Sequence, residues 1–380
     1  MKEITDAYIK RSIGLLRAAE GEAVQSASVL NAVHKSIIES VQKTFKKPTH
    51  AKVKKLKGTI NKKLGAFYKD YFPKELIEMQ TEVIAKEVIW NNDLLESVRN
   101  KEALVAPRTV VVGTQSRKAK SIVRQISAVA NKRPYQGKTF DKHIAKLWPN
   151  EAKRIRGALT TGFNQGKNIA QITRDVKAVT GRATRDVKTI TRSFFMHNAT
   201  EAKESVYNLN SDLVESIIWV STLDSRTTPL ICGARDGAEY TVKDKEPIDH
   251  PYSWDGGPGR IHWNCRSSSV PNIKGLNKAS PRPSVVAGEN YKRGDNVTRT
   301  GRVRKPTKVA RDKGTFKGEM RTTRTRYEGW LKEQSKTNID YVSDILGSKK
   351  KAQLFRDGKI TLKQLGAASP VSRVTSRKKI

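Results

Sequence analysis

Cys232, His262 and Cys265 are the residues of this chain whose types and spacing best suit chemistry at a single point. Thiolate and imidazole are the soft and borderline donors that Zn2+ takes, either four together or three with an open position. His262-x-x-Cys265 sets two donors about one turn apart, close enough to share an ion. His250, Asp249 or Asp224 would supply a fourth ligand. Cys232 and Cys265 are the only cysteines, so other readings stand beside the metal. The two are paired with each other, or they are small core residues while the histidines hydrogen-bond a loop. The same letters spell a second chemistry. A metal-dependent nuclease of the His-Asn-His kind uses a histidine base and a metal held by His or Asn, and His250, His262 and Asn264 provide those types. Such a site needs its last ligand on a helix, and Ser267–Gly275 does not read as one. Cys232 with a histidine would make a nucleophile pair, but no acyl-transfer motif surrounds it. Gly162, Gly166 and Lys167 have one residue too few between the glycines for a phosphate-binding loop, and no strand leads into them. No residue is read as catalytic.

All the cysteine and histidine candidates fall within Trp219–Pro271, which also holds three of the six tryptophans. Residues 201–280 carry 9 Lys and Arg against 11 Asp and Glu, while the whole chain has a net charge of +37. A segment this short has little apolar core and needs a staple. Ser216–Val220 (SIIWV) is the clearest strand candidate, and Gly256, Gly257, Pro258 and Gly259 read as a tight loop between the halves of the unit.

LDSRTTPLICGARDG followed by HWNCRSSSVP resembles the signature of the phage Mu F-like minor head proteins, the phage head morphogenesis family. The matching residues are Trp219, Asp224, Arg226, Thr227, Pro229, Cys232, Asp236, Gly237, His262, Cys265, Arg266 and Pro271. Thr228 and Ser267 stand where many members carry further cysteines, so a four-cysteine site is ruled out, and one more residue separates Pro229 from Cys232 than in the common form. Farther on, Trp330, Leu331, Gln334, then Leu346, Gly347, then Leu354, Phe355 and Gly358 are similar to the family's C-terminal segment. The resemblance covers roughly residues 140–365. It implies a structural minor head protein, associated with the portal inside a tailed-phage capsid, acting in head morphogenesis and in genome packaging and ejection. Its signature residues are then structural, with Asp224 and Arg226 forming a buried pair or capping the loop. The implied partners are the portal protein, packaged double-stranded DNA, and other head proteins or further copies of the chain. The alternative function is the His-Asn-His nuclease or another DNA-processing activity.

The elements that must position this unit are helical. Apolar residues recur every three to four positions over Ile4–Phe45, with Gly21 as an expected break, over Phe72–Val98, and over Ser116–Val129. Phe140–Ala158 reads as helix with a break near Trp148-Pro149. Ile169–Val179 and Val187–Ala202 read as a helical pair, with Gly181 as the stop between them. Thr109–Val112 suggests a strand or extended crossing, and Pro134–Gly137 a turn. The fold class expected is mainly α, with helical N-terminal and middle regions, a small α+β short-strand module near 216–272, and a basic arm. The divisions are a helical region at 1–130 for docking on the portal or on itself, a head morphogenesis domain at 131–272, a basic linker at 273–326, and a C-terminal helical unit with a basic tail at 327–380.

With 74 Lys and Arg against 37 Asp and Glu, the chain needs a polyanionic partner, and DNA is the obvious one. The expected phosphate contacts are Lys46, Lys47, Lys54 and Lys55 in a basic connector at 43–63, and Arg302, Arg304, Lys305, Arg321 and Arg324 in the arm. There is no apolar run of about 18 residues to cross a bilayer, and Met1–Lys10 has no signal-type apolar stretch. Synthesis in the host cytoplasm and residence in the virion are expected. Zinc is the one cofactor considered, on Cys232, His262, Cys265 and His250.

Overall fold

The computed structural model describes residues 2–100, 117–273, 282–286, 319–323 and 325–367. Helices form a frame on which a small sheet is mounted. Helix α1 (Lys2–Phe45) is 44 residues long, and α7 (Ile169–Leu209) is 41. At 1.5 Å per residue each spans about 60 Å. They pack along one another, and this is the most extensive helix pairing in the molecule. Tyr8, Leu15, Ala19, Leu30, Ile37 and Val41 of α1, and Ile172, Val176, Val187, Phe194 and Val206 of α7, are buried. Gly21 and Gly181, expected to break or stop helices, lie inside these two unbroken elements. A glycine costs about 1 kcal/mol in a helix interior. Apolar burial on both sides of it outweighs that cost.

Helix α2 (His50–Gly65) continues through a π-helical turn, Ala66–Tyr71, into α3 (Phe72–Arg99). Pro73 explains the widened turn. It has no N–H to donate, and just before it the Phe72 N–H reaches back five residues to the Phe67 carbonyl. The connector expected at 43–63 is therefore corrected. Thr49 caps α2 through its side chain, and Val53, Leu56, Ile60 and Leu64 face the core. The lysines of this run hid that stripe from a reading based on charge.

Helices α4 (Arg117–Lys132), α5 (Phe140–Ile144) and α6 (Leu147–Asn164) follow. The break expected near Trp148-Pro149 falls at Ala145 and Lys146, because a proline in a first turn is tolerated. Residues 109–112 lie outside the described residues. The Pro134–Gly137 turn forms as expected, with positive φ at Gln136 and Gly137. Buried polar ties cross the frame. His34 of α1 meets Glu151 of α6 at 2.6 Å, Tyr68 donates to the same carboxylate at 2.7 Å, and Gln80 of α3 donates to Asn198 of α7 at 2.7 Å.

The chain leaves α7 directly into strand β1 (Val214–Val220), the centre of an antiparallel sheet with β2 (Glu239–Thr241), β3 (Pro247–Ile248) and β4 (Ser268–Ile273), in the order β3-β2-β1-β4. Ile217 and Trp219 point into the core cluster shared with the helices. Strands β5 (Arg282–Val286) and β6 (Glu319–Thr323), at the two ends of the basic arm, pair antiparallel. Helices α8 (Tyr327–Thr337), α9 (Ile339–Leu346), α10 (Lys349–Arg356) and α11 (Leu362–Ala367) gather around Trp330, Leu331, Val342 and Phe355 in a second, smaller core. The fold is mainly α with a small sheet-bearing module, as the sequence implies.

Candidate functional site

Two loops of the module bring Cys232, His262 and Cys265 together, their donor atoms all within 4.8 Å of one another. The first loop winds about the Thr228 carbonyl, which accepts from the N–H groups of Cys232 at 2.9 Å and Gly233 at 3.0 Å. The second loop carries a tight turn in which the Cys265 N–H reaches the His262 carbonyl at 3.1 Å, with Asn264 left-handed at φ 58°. Asparagine tolerates that conformation better than most residues. The turn is fixed to α7, because Ser193 accepts from the Asn264 backbone N–H at 3.0 Å.

The Cys232 and Cys265 sulfurs are 3.7 Å apart, and Cys232 Sγ is 2.9 Å from His262 Nε2. Nδ1 of His262 lies 2.9 Å from the Trp263 carbonyl. A carbonyl only accepts, so Nδ1 carries the proton and the Nε2 lone pair faces sulfur. Burial pushes both thiols up. At Cys232 the hydrogen bonds with Cys265 and Ser267 and the Arg235 charge outweigh it, and its pKa ends below the ordinary value. At Cys265 burial is reinforced by its hydrogen bond with Cys232 and by that residue's charge, and the thiol is held well above it. Of the two thiols, Cys232 is the one that loses its proton more readily.

His250 stands apart. Its Nε2 meets the Glu239 carbonyl at 2.7 Å and its Nδ1 accepts from the Tyr252 N–H, so both nitrogens hold the module's loop. Its proposed place as fourth ligand is corrected. Asp224 is also engaged elsewhere. Its Oδ1 accepts from the N–H groups of Arg226 at 3.0 Å and Thr227 at 3.1 Å, and its Oδ2 pairs with Arg266. Asp224 thus both caps the loop and forms an ion pair, but with Arg266. Arg226 is exposed. After Cys265 the chain enters β4 rather than a helix, and the Asn264 amide points to Thr189. His250, His262 and Asn264 do not converge as a His-Asn-His centre would require.

The rest of the signature builds a docking hub. Trp219 is fully buried, donates from its indole to Ser221 at 3.1 Å and meets Trp254 edge-on. Asp236 gathers three partners. Its Oδ1 accepts from the Ser221 N–H at 2.7 Å, its Oδ2 from the Tyr327 N–H at 2.7 Å, and Arg282 clamps both oxygens. Asp236 therefore ties the end of β1, β5 and α8 into one body. Gly233 and Gly237 leave room for this. A Cβ on Gly233 would strike the Tyr327 ring, and one on Gly237 (φ +79°) the Arg326 side chain. The contribution of Arg282 is not visible in the sequence, because the arm around it reads only as basic.

Arg260 is another partner that sequence reasoning missed. It is 4% exposed and bridges Glu201 at 2.6 Å and Glu204, and Glu201 also meets Arg133 at 2.9 Å. Burial lowers its pKa, but the two carboxylates outweigh this and hold the guanidinium charged. Buried Lys203 donates to Ser268 at 2.8 Å, and desolvation pushes its pKa down to about 8.

Of the expected phosphate contacts, Lys46, Lys47, Lys54 and Lys55 are all exposed, the last two on α2. Arg302, Arg304, Lys305 and Arg324 lie outside the described residues, and of Arg321 only its backbone place in β6 is described. The structure adds a cluster that sequence reasoning did not single out. Lys138, Lys142 and Lys146 crowd one exposed edge around α5, and the hydrogen bond and charge of Lys146 push the Lys138 pKa down. None of the three makes an ion pair with a described carboxylate.

The family model described as Phage Mu protein F like protein matches residues 153–270, from α6 through the module. No curated protein and no solved structure matches the chain.

Proposed function

We propose, from the place of residues 153–270 in the phage Mu protein F like family, that this chain is a minor head protein of a tailed phage, bound at the portal and facing packaged DNA. The family match carries the reading, since it spans the module, α7 and most of α6. That family is one of head morphogenesis proteins, so head proteins are its expected partners. Surface chemistry supports the DNA side. Lysines at 138, 142 and 146 repel one another without an acidic partner among the described residues, and Lys54 and Lys55 lie open on α2. Cations in that state gain by displacing the counterions of phosphate, with no sequence readout. No described helix is long and apolar enough to cross a membrane.

Duplex DNA titrated with the full chain over a salt series tests the DNA contact. Each neutralised phosphate contributes a slope of about −0.9 in log affinity against log salt. Replacing Lys138, Lys142 and Lys146 together by Gln is expected to flatten that slope by roughly 2 to 3 units. A slope unchanged by the triple variant would remove this surface from the interface. Co-purification with the phage's own portal protein tests the partner, and failure to bind it in either order of assembly would contradict the reading.

A further inference from the structure

We infer that Cys232, Cys265 and His262 bind a zinc ion, with a water molecule as the fourth ligand at the half-exposed histidine edge. The inference is independent of the proposed function, because it rests on donor chemistry and distances alone.

Zinc in a tetrahedral site lies about 2.3 Å from each sulfur, which puts two cysteine sulfurs about 3.8 Å apart. The observed separation is 3.7 Å. The sulfurs stand at that spacing while Cys232 also faces an imidazole lone pair, and all three donor atoms lie within 4.8 Å of one another. The imidazole is set for a ligand's role, since Nδ1 is occupied by the Trp263 carbonyl and Nε2 meets the Cys232 sulfur. This second contact is the kind that fixes the tautomer of a metal-bound histidine. Nε2 stands 2.9 Å from Cys232 Sγ, closer than the roughly 3.5 Å a shared ion would impose. His262 is half-buried and has room to back off toward solvent by that amount.

The supports of the cysteines are also those of ligands. The Gly259 N–H donates to Cys265 Sγ at 3.3 Å, a hydrogen bond that stabilises a thiolate. Gly259 has φ +82°, and a Cβ there would come within 2.7 Å of the Thr200 hydroxyl, so the close approach depends on glycine. Zinc would bind both cysteines as thiolates and offset the charge of two buried sulfurs. The physical gain falls where the module is poorest. It has four short strands, and its two cysteine loops are far apart in sequence, so an ion joining residues 232, 262 and 265 closes the irregular half of the unit.

The test uses the full chain, produced with zinc in the medium and passed through a desalting step. Elemental analysis is expected to find about one zinc per chain, lost progressively as the pH is lowered and the ligands take protons. Both thiols should resist alkylation in the folded protein and react after a chelator is added. Exchange with Co2+ should give the intense thiolate-to-cobalt charge-transfer band and the visible bands of a tetrahedral site. Cys265→Ser and His262→Gln are expected to lower the zinc content at least tenfold. The cobalt spectrum of the unaltered chain keeps the test valid if a variant does not fold. A folded chain with no bound zinc and two free thiols would overturn the inference, as would a Cys232–Cys265 disulfide or a zinc that persists in both variants.

Discussion

The helical frame and the signature module hold their shapes by different physics. In the frame, α1 and α7 bury long stripes of interchangeable apolar residues, and the chain absorbs Gly21 and Gly181 without a break. In the module, single side chains each satisfy several particular groups. Asp236 alone answers the N–H of the residue just past a strand, a helix N–H and a guanidinium. The frame should therefore tolerate substitution in small steps, whereas the module should fail at individual residues. A buried carboxylate that loses its partners, or a partner left without its carboxylate, costs far more than a methylene.

The comparison breaks most sharply at Asp236. Asp236→Ala leaves the Arg282 charge unpaired and two buried N–H groups unanswered, and the expected loss is about 3 to 5 kcal/mol by denaturant unfolding. Hydrogen exchange should also show α8–α11 loosening from the module. A loss near 1 kcal/mol would mean that the hub does not hold these parts together.

A smaller effect comes from His197, at the junction of the two regions. Burial, with the nearby Arg260 charge, pushes its pKa down to about 3, and its Nε2 lies 2.9 Å from the Ala130 carbonyl. The folded chain keeps it neutral while the unfolded chain takes a proton below about pH 6.5. Stability from this residue is thus intact above about pH 6.5 and falls as the pH drops, by about 1.4 kcal/mol per unit. Unfolding measured from pH 7 to pH 5 in the unaltered chain and in His197→Gln should show the slope reduced in the variant. Equal slopes would contradict the assignment.

In the frame, Ile172→Val should cost only about 0.5 to 1.5 kcal/mol. The site is fully buried, yet it sits where α6 and α7 approach over Gly162, so one methyl leaves a small gap. The smallest expected change is a gain. Gly21 lies exposed in α1 with nothing near its missing Cβ, and Gly21→Ala should stabilise by about 0.5 to 1 kcal/mol in a thermal melt. A destabilised Gly21→Ala would show that α1 is broken there after all.

The same difference decides what was legible in the sequence. Periodicity found the stripes of α1, α3, α4 and α7, because burial on one helical face leaves a regular mark. It misjudged interruptions, since a glycine in sequence says nothing of the partner that overrides its propensity. It also missed α2, where lysines fill the solvent face and conceal Val53, Leu56, Ile60 and Leu64. In the module, residue types pointed to Cys232, His262 and Cys265, which the structure brings together. They did not separate His250 from that set, because a loop's path decides whether a histidine meets a sulfur or a carbonyl. Arg282 and Arg260 carried no local signal at all, as their partners lie 46 and 56 to 59 positions away.

As proposed, this chain is a head protein at the portal with its basic edge toward DNA. Cryo-electron microscopy of purified DNA-filled heads, with mass spectrometry of the same particles for copy number, tests it most directly. The account predicts a few copies per particle, density on the inner side of the portal, and Lys138, Lys142 and Lys146 within reach of the packaged duplex. Particles complete in DNA but lacking the protein, or density on the outer shell with that edge facing away from DNA, would contradict it.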